Sequence, residues 1–327
     1  MSRANDAGEA SDASDPSEPA SQARDFRSGF ACLVGRPNVG KSTLINALVG
    51  SKVAITSSRP QTTRHVVRGL VHRDDAQLVL LDTPGLHRPR TLLGERLNDL
   101  VRGTWSEVDA IAVCLPADER IGPGDRFLAG ELARVRRTPA LAVATKTDLV
   151  GSDRLAEHLA QIAELGTASG IEWQEIVPVS ATTGQQVDLL RDLLVARLPV
   201  GPALYPEGEL TVAPEEQLVA ELIREAALEE LRDELPHSVA VVVEEMGPRE
   251  DRPDDRPLVD IRAEVFVERA SQKAIVIGSR GSRLRQIGSQ AREQIERLLG
   301  TPVYLDLHVK VAKDWQRDPR QLRRLGF

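Results

Sequence analysis

Short apolar runs alternate with helical patterns between residue 30 and about residue 198. Each run has the length of a buried strand and ends in a polar cluster, which is typical of a parallel sheet covered by helices. The sequence therefore predicts an α/β domain here. Because ligands of open α/β sheets bind outside the carboxyl ends of strands, functional residues are expected directly after each run. The predicted strands are 30–34, 66–71, 78–81, 110–115, 140–144 and 176–179.

A different pattern follows a segment rich in proline, glycine and glutamate. A helical period covers 214–235, strand patterns cover 239–243 and 258–267, and a further helix and strand come after them. This order predicts a separate α+β domain. The predicted divisions are a disordered tail at 1–27, the α/β domain at 28–198, a linker at 199–214, the α+β domain at 215–312 and a basic tail at 313–327.

Composition narrows the protein's class. The 327-residue chain is long enough for two domains. Residues 1–25 hold six acidic against two basic side chains with almost no large hydrophobe, which is why a disordered tail is predicted there. A net charge of -7 disfavours nucleic-acid binding by the whole surface, so a segregated basic patch is needed. Cys32 and Cys114 lie in apolar runs and read as core residues. With no long apolar span or signal peptide, we expect a cytoplasmic protein.

The strongest motif joins the first predicted strand to the first predicted helix. Residues 35–43 match G-x-x-x-x-G-K-[ST] at every fixed position, which predicts a phosphate-binding loop. Lys41 is expected to reach the β- and γ-phosphates and to act in catalysis, and Ser42 to ligate Mg²⁺. The predicted nucleotide-binding residues of the loop are Gly35, Arg36, Pro37, Asn38, Val39, Gly40, Lys41, Ser42 and Thr43.

A second element, D-x-x-G, follows the strand at 78–81 and comprises Asp82, Thr83, Pro84 and Gly85. Asp82 is expected to hold Mg²⁺ through water, and the Gly85 N–H to approach a γ-phosphate. Between the two motifs lies a polar loop at 57–65 in which Thr62 or Thr63 supplies another hydroxyl to Mg²⁺. We favour Thr63, although either threonine has an ordinary alternative role as a loop residue.

Two more polar clusters follow the last predicted strands of this domain. These are Thr145, Lys146 and Asp148 after 140–144, and Ser180 and Ala181 after 176–179. An ionised Asp148 accepts hydrogen bonds from the ring N–H and the exocyclic amine of guanine, whereas adenine offers no such pair of donors. The sequence therefore predicts a guanine site.

The α+β domain contains a G-x-x-G loop at the entry to a helix, surrounded by cations. Residues 273–297 hold six Lys/Arg against two Glu, which is the segregated basic patch that the acidic chain needs. A KH module clamps about four nucleotides at such a loop, and the predicted element order is that of a type II KH domain. The predicted RNA-binding residues are Lys273, Gly278, Ser279, Arg280, Gly281, Arg283, Arg285, Lys310 and Lys313.

Other residues near this patch have simpler interpretations. Arg292 and Arg297 also fit a solvated helix face. Trp315, in the basic tail, is able to stack on a base, but an isolated tryptophan more often anchors a terminal segment, so packing is favoured.

The phosphate loop, the D-x-x-G element and the predicted guanine site, in this order, resemble the G domain of translation-factor-like GTPases. Thr145 stands where that family usually has asparagine, and we expect this exchange to weaken nucleotide affinity because the amide that braces the base against the loop is lost. Asn38 resembles the asparagine that holds K⁺ in potassium-stimulated GTPases. Leu86 stands where Ras-like proteins have the water-positioning glutamine, which predicts slow intrinsic hydrolysis.

The runs 60–65 and 82–87, with the KH-like domain, resemble the Era family specifically. The resemblance implies a monomeric protein that binds GTP and GDP with Mg²⁺ and K⁺ and uses Lys41, Thr63 and Gly85 in hydrolysis. It further implies that nucleotide state gates binding to the 3′ end of 16S rRNA during maturation of that RNA and 30S assembly. Peripheral contact with the inner face of the cell membrane is also implied.

Two alternative functions stay open at this point. One is an RNA-binding adaptor in which Thr145 has abolished useful nucleotide affinity. The other is a tRNA-modification-type GTPase, which would need a separate cofactor-binding domain, and the chain has no residues left for one.

Overall fold

A computed structural model describes residues 25–57, 59, 62–86, 89, 91–135, 138–231, 238–249 and 257–327. Most of the predicted tail at 1–27 therefore lies outside the described residues, as do Pro60, Gln61 and His87, which contributed to the Era resemblance. Among the described helices, none is both long enough and apolar enough to cross a membrane.

The first half of the chain forms a six-stranded sheet in the order β2-β3-β1-β4-β5-β6. Neighbouring strands are parallel except β2, which is antiparallel to β3. The strands are β1 (Arg27–Val34), β2 (Val67–His72), β3 (Ala76–Asp82), β4 (Ala110–Pro116), β5 (Ala140–Thr145) and β6 (Trp173–Pro178). The helices are α1 (Lys41–Val49), α2 (Leu92–Trp105), α3 (Pro123–Leu132), α4 (Ser152–Ser169) and α5 (Val187–Val195).

Helices cover both faces of this sheet, which explains why its strands read as continuous apolar runs. Successive β1 side chains enter opposite cores: Leu33 packs on the side of α1 and α5, whereas Cys32 packs on the side of α2, α3 and α4. Both cysteines are buried thiols, as the sequence predicts. The fold is the α/β G-domain architecture expected from the pattern.

The second half forms a three-stranded sheet in the order β7-β8-β9, with β7 antiparallel and β9 parallel to β8. Its strands are β7 (Ala240–Pro248), β8 (Val259–Val267) and β9 (Val303–Val311). Its helices are α6 (Glu215–Glu230), α7 (Ala270–Ile277) and α8 (Ser282–Leu299), and α9 (Pro319–Arg324) lies in the basic tail. Helices α6 and α8 cover one face of this sheet. The element order, α6-β7-β8-α7-α8-β9, is that of a type II KH domain.

The other face of this sheet is partly covered by the basic tail and by α2 of the G domain. Trp315 is fully buried, and its Nε1 donates a 3.0 Å hydrogen bond to the Ser238 carbonyl oxygen. It shares an apolar cluster with Leu93 and Leu97 of α2. In this arrangement the Trp315 ring anchors the tail against both domains and is not available to stack on a base.

The predicted bounds of β7 and α6 differ most from the structure. The strand predicted at 239–243 continues to Pro248 because its polar end still pairs with β8, with Glu245 opposite Arg262. The helix predicted at 214–235 ends at Glu230, where the backbone of Leu231 turns extended, and residues 232–235 lie outside the described part of the chain.

Candidate functional site

The phosphate-binding motif forms the turn between β1 and α1. Gly40 precedes α1 with φ of 96°, a left-handed conformation that glycine adopts without strain. The loop and the polar segment before β2 surround an open cavity of about 400 Å³. Its lining residues are Pro37, Asn38, Gly40, Lys41, Ser42, Thr43, Thr56, Ser57, Thr62, Thr63, Gly85 and Lys146.

Lys41 is held inside this loop. Its Nζ donates to the Arg36 carbonyl oxygen at 3.0 Å and to the Gly35 carbonyl oxygen at 3.3 Å. Burial lowers the pKa of Lys41, and the charge of Asp82 acts in the opposite direction. A buried ammonium group at a helix N-terminus attracts the phosphates of a nucleotide.

Ser42, Thr63 and Asp82 converge at one end of the cavity. Ser42 Oγ donates to Asp82 Oδ2 at 2.6 Å, and Thr63 Oγ1 donates to the same oxygen at 3.2 Å. The two hydroxyl oxygens are 2.9 Å apart. Thr62 does not join them, because its hydroxyl donates to the Arg59 carbonyl oxygen at 2.7 Å. The geometry thus favours Thr63 over Thr62.

These three side chains fit a magnesium ion. Hydroxyl and carboxylate oxygens are the hard ligands that Mg²⁺ prefers. Asp82 Oδ1 is buried and receives no hydrogen bond from the described residues, so a carboxylate oxygen is left to bind a metal or its water. Burial raises the pKa of Asp82, while the charge of Lys41 and the two hydroxyl hydrogen bonds act in the opposite direction.

The D-x-x-G element packs against the phosphate loop. A Cβ on Gly85 would lie 2.6 Å from the Pro37 nitrogen, so only glycine fits this close approach. The Leu86 amide donates to the Gly35 carbonyl oxygen at 3.3 Å, and the Leu86 side chain is only 2% exposed in the sheet core. Thr83 is also turned away from the cavity, since its hydroxyl donates to the Leu33 carbonyl oxygen at 2.7 Å.

A second cavity, of about 350 Å³, adjoins the first and shares Gly40, Thr43 and Lys146 with it. The exposed Asp148 lines it, and Asp148 Oδ1 accepts a 2.6 Å hydrogen bond from Ser180 Oγ. This bond fixes one oxygen of the carboxylate, which orients the group that would meet the base. The remaining lining residues are Leu44, Thr145, Leu149, Val179, Ala181 and Thr182.

Thr145 is bound to the phosphate loop. Its Oγ1 donates a 2.6 Å hydrogen bond to the Val39 carbonyl oxygen, and both residues are buried. The sequence-based expectation was that threonine loses the brace between the base site and the loop. The structure keeps a brace, because the shorter hydroxyl reaches the loop backbone directly.

The G-x-x-G loop lies between α7 and α8. Gly278 has φ of 72°, and a Cβ there would lie 2.9 Å from the Arg283 nitrogen, so the turn requires glycine. Ser279 and Arg280 are exposed at its tip, with Arg280 at φ of 51°. The Arg283 side chain bridges the turn, because its Nη1 donates to the Ile275 carbonyl oxygen at 2.7 Å.

A groove of about 400 Å³ runs from this loop between α8 and β9. Because β9 is an edge strand, its outer backbone groups are free of strand partners within the described sheet. The groove therefore combines cations, apolar side chains and backbone hydrogen-bonding groups. Its lining residues are Gly281, Leu284, Arg285, Gly288, Ser289, Arg292, Val303, Tyr304, Leu305 and Leu307.

Comparisons with known proteins match both domains. Residues 30–146 match the family described as 50S ribosome-binding GTPase, and residues 234–316 match the KH domain family. The chain is 73% identical over 301 residues to GTPase Era of Nocardioides sp. strain ATCC BAA-499 / JS614, an alignment that covers 92% of this chain and 96% of that protein. The chain belongs to the Era family of GTPases.

Two further relatives extend this comparison. GTPase Era of Streptomyces coelicolor is 72% identical, with 92% of this chain and 95% of that protein aligned. A crystal structure of Era in complex with MgGDPNP and nucleotides 1506–1542 of 16S ribosomal RNA superposes with a TM-score of 0.87. That alignment has 37% identity and covers 92% of this chain and 99% of the other. Era-family membership leaves no basis for the tRNA-modification alternative.

Several residues predicted for the Era-type sites have other contacts. Arg36 lies in the phosphate loop, but its side chain forms ion pairs with Asp125 at 2.7 Å and Glu119 at 2.9 Å. Lys310 pairs with the buried carboxylate of Glu264 on β8. The nucleotide-site role predicted for Arg36 therefore rests on its backbone, and Lys310 is tied to the sheet away from the G-x-x-G groove.

Sequence reasoning missed part of the groove. Arg292, which the sequence also allows on a solvated helix face, lines the groove, and so does Tyr304, which belongs to none of the predicted motifs. Tyr304 is 53% exposed, and the Arg249 guanidinium lies 4.9 Å from its ring centre. An exposed aromatic on the last predicted strand, in a chain with 3% aromatic residues, is a signal that identifies Tyr304 as a candidate base contact.

Proposed function

We propose that this chain couples GTP binding and hydrolysis to binding of the 3′ end of 16S rRNA during 30S subunit assembly. The observation that carries the proposal is the convergence of Ser42, Thr63 and Asp82 on a cavity that continues to Asp148. A cation-lined groove on the same chain supports RNA binding. The Era structure containing MgGDPNP and 16S rRNA nucleotides supports the pairing of these two ligands.

In this proposal the phosphates lie along the amides of the phosphate loop, beside Lys41. Ser42 and Thr63 ligate Mg²⁺ directly, and Asp82 holds it through water. The ion supplies charge neutralisation between the β- and γ-phosphates. Lys41 stabilises the charge of the transferred phosphoryl group, and the Gly85 N–H meets the γ-phosphate.

Guanine lies in the adjoining cavity, where the carboxylate of Asp148 accepts two hydrogen bonds from it. Ser180 orients this carboxylate. Adenine would leave the carboxylate facing no donor pair, so the discrimination is expected to be strong. The brace from Thr145 to Val39 argues against the alternative in which the chain is an adaptor with negligible nucleotide affinity.

Hydrolysis by this site is expected to be slow without a partner. Apart from Asp82, which this proposal assigns to Mg²⁺, none of the described residues at the phosphate cavity has a carboxylate or imidazole side chain to act as general base. The Leu86 side chain is buried and has no hydrogen-bonding group to orient water. Catalysis therefore depends on positioning and electrostatics, and RNA binding is expected to accelerate it by ordering the loop that carries Thr63 and the D-x-x-G element.

Potassium is part of the proposal. Asn38 lines the cavity and holds a left-handed backbone conformation, with φ of 63°. We assign it a role in binding K⁺ beside the β- and γ-phosphates, where the cation would replace an arginine finger. Faster hydrolysis in K⁺ than in Na⁺ is the expected result, and equal rates would remove this role alone.

On the RNA side, Ser279 and Arg280 approach the backbone at the G-x-x-G tip, while Arg285, Arg292 and Tyr304 contact the strand along the groove. Lys273 and Lys313 add positive charge. Because phosphate contacts release counterions, we expect affinity for RNA to fall steeply with salt.

Localisation and assembly state are proposed from the family resemblance. We expect a cytoplasmic monomer that also associates peripherally with the inner face of the cell membrane. Co-sedimentation with anionic lipid vesicles tests the membrane part, and absence from the vesicle pellet would contradict it.

A single set of assays tests the main proposal. Radiolabelled GTP hydrolysis is measured in K⁺ and in Na⁺, each with a 3′-end 16S rRNA oligonucleotide, with a scrambled oligonucleotide and with no RNA. The proposal predicts the highest rate in K⁺ with the authentic oligonucleotide. No binding of GTP at micromolar concentration, or equal stimulation by the scrambled sequence, would contradict it.

A further inference from the structure

Helix α6 of the KH domain contacts the polar segment that carries Thr63. Arg224 on this helix is only 2% exposed, and its Nη2 donates a hydrogen bond to the Thr62 carbonyl oxygen. Its Nε donates to Glu221 Oε1 at 2.9 Å, one helical turn earlier. The guanidinium is therefore fixed on α6 while it binds the backbone of the other domain.

The next residue of α6 holds the start of the same segment. Glu225 is buried, and its Oε1 accepts a 2.8 Å hydrogen bond from the Thr56 amide. Thr56 and Thr62 both line the phosphate cavity. Two consecutive KH-domain residues thus bind the backbone of this part of the chain at two positions along the nucleotide site, Thr56 and Thr62.

Thr63 lies between residues that are bound to the second domain. Before it, the Thr62 carbonyl is held by Arg224. After it, Arg64 Nη1 donates to the Val239 carbonyl oxygen at 2.6 Å, and the His65 ring stacks on Phe327 with the ring centres 4.9 Å apart. The Thr63 side chain itself contacts only the metal-site residues of the G domain among the hydrogen bonds described.

Peptide geometry converts the Arg224 contact into control of Thr63. The Thr62 carbonyl and the Thr63 nitrogen and Cα lie in one rigid peptide plane. Anchoring the carbonyl oxygen therefore limits the orientation of the Thr63 backbone and, through it, the direction of the hydroxyl. Loss of this anchor removes the constraint on the residue before Thr63, while the contacts of Arg64 and His65 after it remain.

We propose that Arg224 of the KH domain is a positioning residue for the GTPase site, because it holds the Thr62 carbonyl and thereby directs Thr63 to Mg²⁺. The inference rests on the proposed function, which places Thr63 at the metal. It predicts that the KH domain completes the triphosphate-binding state of the G domain. By reciprocity, a triphosphate that engages Thr63 favours the arrangement in which α6 contacts this segment.

The contact between α6 and the Thr63 segment brings together two buried arginines and one carboxylate, Glu221. Arg64 and Arg224 are both buried cations at the domain interface. Burial lowers the pKa of Arg64 to about 9, and the charge of Arg224 acts in the same direction, whereas Glu221 opposes both. Because Glu221 also braces Arg224, its neutralisation should loosen the guanidinium without removing it.

The test compares affinities of the full-length chain for a non-hydrolysable GTP analogue and for GDP, both with Mg²⁺. Arg224→Gln is expected to lower the ratio of analogue affinity to GDP affinity about tenfold, as loss of one hydrogen bond from a charged donor implies. Thr63→Ala lowers the same ratio, and Arg224→Gln in the Thr63→Ala background adds little. A fall only in thermal stability, or equal losses for both nucleotides, would overturn the proposal.

Arg191→Gln is the matched control. Arg191 on α5 also donates to a main-chain carbonyl, that of Leu48, at 3.1 and 3.2 Å, but it lies within the G domain. This variant should leave the affinity ratio unchanged. If Arg224→Gln does not fold, Glu221→Gln replaces it, with an intermediate fall in the ratio expected and an unchanged ratio counting against the proposal.

The Thr63→Ala arm separates two failures. An unchanged ratio in Thr63→Ala removes Thr63 from the metal site and so contradicts the proposed function. A lowered ratio in Thr63→Ala with an unchanged ratio in Arg224→Gln contradicts only the positioning role of Arg224.

Discussion

Thr145 Oγ1 donates a 2.6 Å hydrogen bond to the Val39 carbonyl oxygen, which joins the end of β5 to the phosphate-binding loop. The bond links the region where the base binds to the region where the phosphates bind. Both groups are buried, so neither has water as an alternative partner. Thr145 thereby provides the brace that asparagine usually provides in related GTPases.

Removing this hydroxyl should weaken nucleotide binding. In Thr145→Val the Val39 carbonyl is left buried without its donor, which costs about 1–3 kcal/mol in the folded protein, and the phosphate loop that loses this brace should bind GTP and GDP more weakly. Isothermal titration calorimetry measures the change. Thr147→Val is the control, because Thr147 is equally buried and its hydroxyl has no hydrogen-bond partner among the described residues. Equal losses in the two variants would contradict the brace.

Asp148 should set the choice of base. In Asp148→Asn the side chain presents an amide N–H, which complements the extra carbonyl of xanthine and repels the donor pair of guanine. We expect GTP affinity to fall and XTP affinity to rise, so that the preference reverses. Competition binding against a fluorescent nucleotide measures this, and a parallel loss of both affinities would argue against direct base contact.

The elements that the sequence predicts well are those that leave a pattern in a short stretch of neighbouring residues. β4 was predicted at 110–115 and extends over Ala110–Pro116, because a strand buried on both faces leaves a continuous apolar run. The phosphate loop was likewise recognisable from spacing alone. The polar end of β7 was missed, since Glu245 pairs through its backbone and carries no apolar signature.

Contacts between distant segments were not predictable. Thr62 and Thr63 are chemically identical neighbours, and only the path of the chain decides which hydroxyl faces Ser42 and Asp82. Arg224 is 162 residues from Thr62, and helical periodicity says nothing about which domain its side chain meets. The hydrogen bond from Thr145 to Val39 was not predictable either, because the distance between these two residues depends on the tertiary structure.

The G-x-x-G tip should be required for RNA binding and dispensable for nucleotide binding. Replacing both Ser279 and Arg280 by aspartate places negative charge where the RNA backbone approaches, so RNA affinity should fall by at least about tenfold. GTP affinity should change little. Filter binding with a 3′-end 16S rRNA oligonucleotide measures the first and calorimetry the second.

Arg297→Asp, an arginine-to-aspartate change on α8, is the control for that variant. Arg297 is exposed near the far end of α8 and pairs with Glu293. Its replacement should affect RNA binding far less. Comparable losses from the two ends of α8 would indicate general electrostatic attraction rather than a specific loop.

The stability of the protein should decrease in mild acid through His65. Burial beside Phe327 lowers the pKa of His65, the charges of Arg64 and Arg224 act in the same direction, and Glu221 opposes them. Below about pH 6.5 the unfolded chain therefore binds a proton at His65 that the folded chain does not bind as readily. The free energy of unfolding should decrease as the pH is lowered.

His65→Phe should keep the ring stacking and flatten this pH dependence. Urea unfolding between about pH 5 and pH 7 measures the slope. His72→Gln serves as the control, because His72 lies on β2 and contacts the Glu209 carbonyl oxygen rather than the KH domain. An unchanged slope in His65→Phe would remove His65 as its source.

The central claim is that the nucleotide site and the RNA groove are coupled within one chain. The most direct test measures the affinity of the full-length protein for a 3′-end 16S rRNA oligonucleotide in K⁺ and Mg²⁺, with saturating GTP analogue or saturating GDP. The account predicts at least about fivefold tighter RNA binding with the GTP analogue, matched by an equal preference for the analogue when RNA is bound. Equal RNA affinity in the two nucleotide states would contradict it.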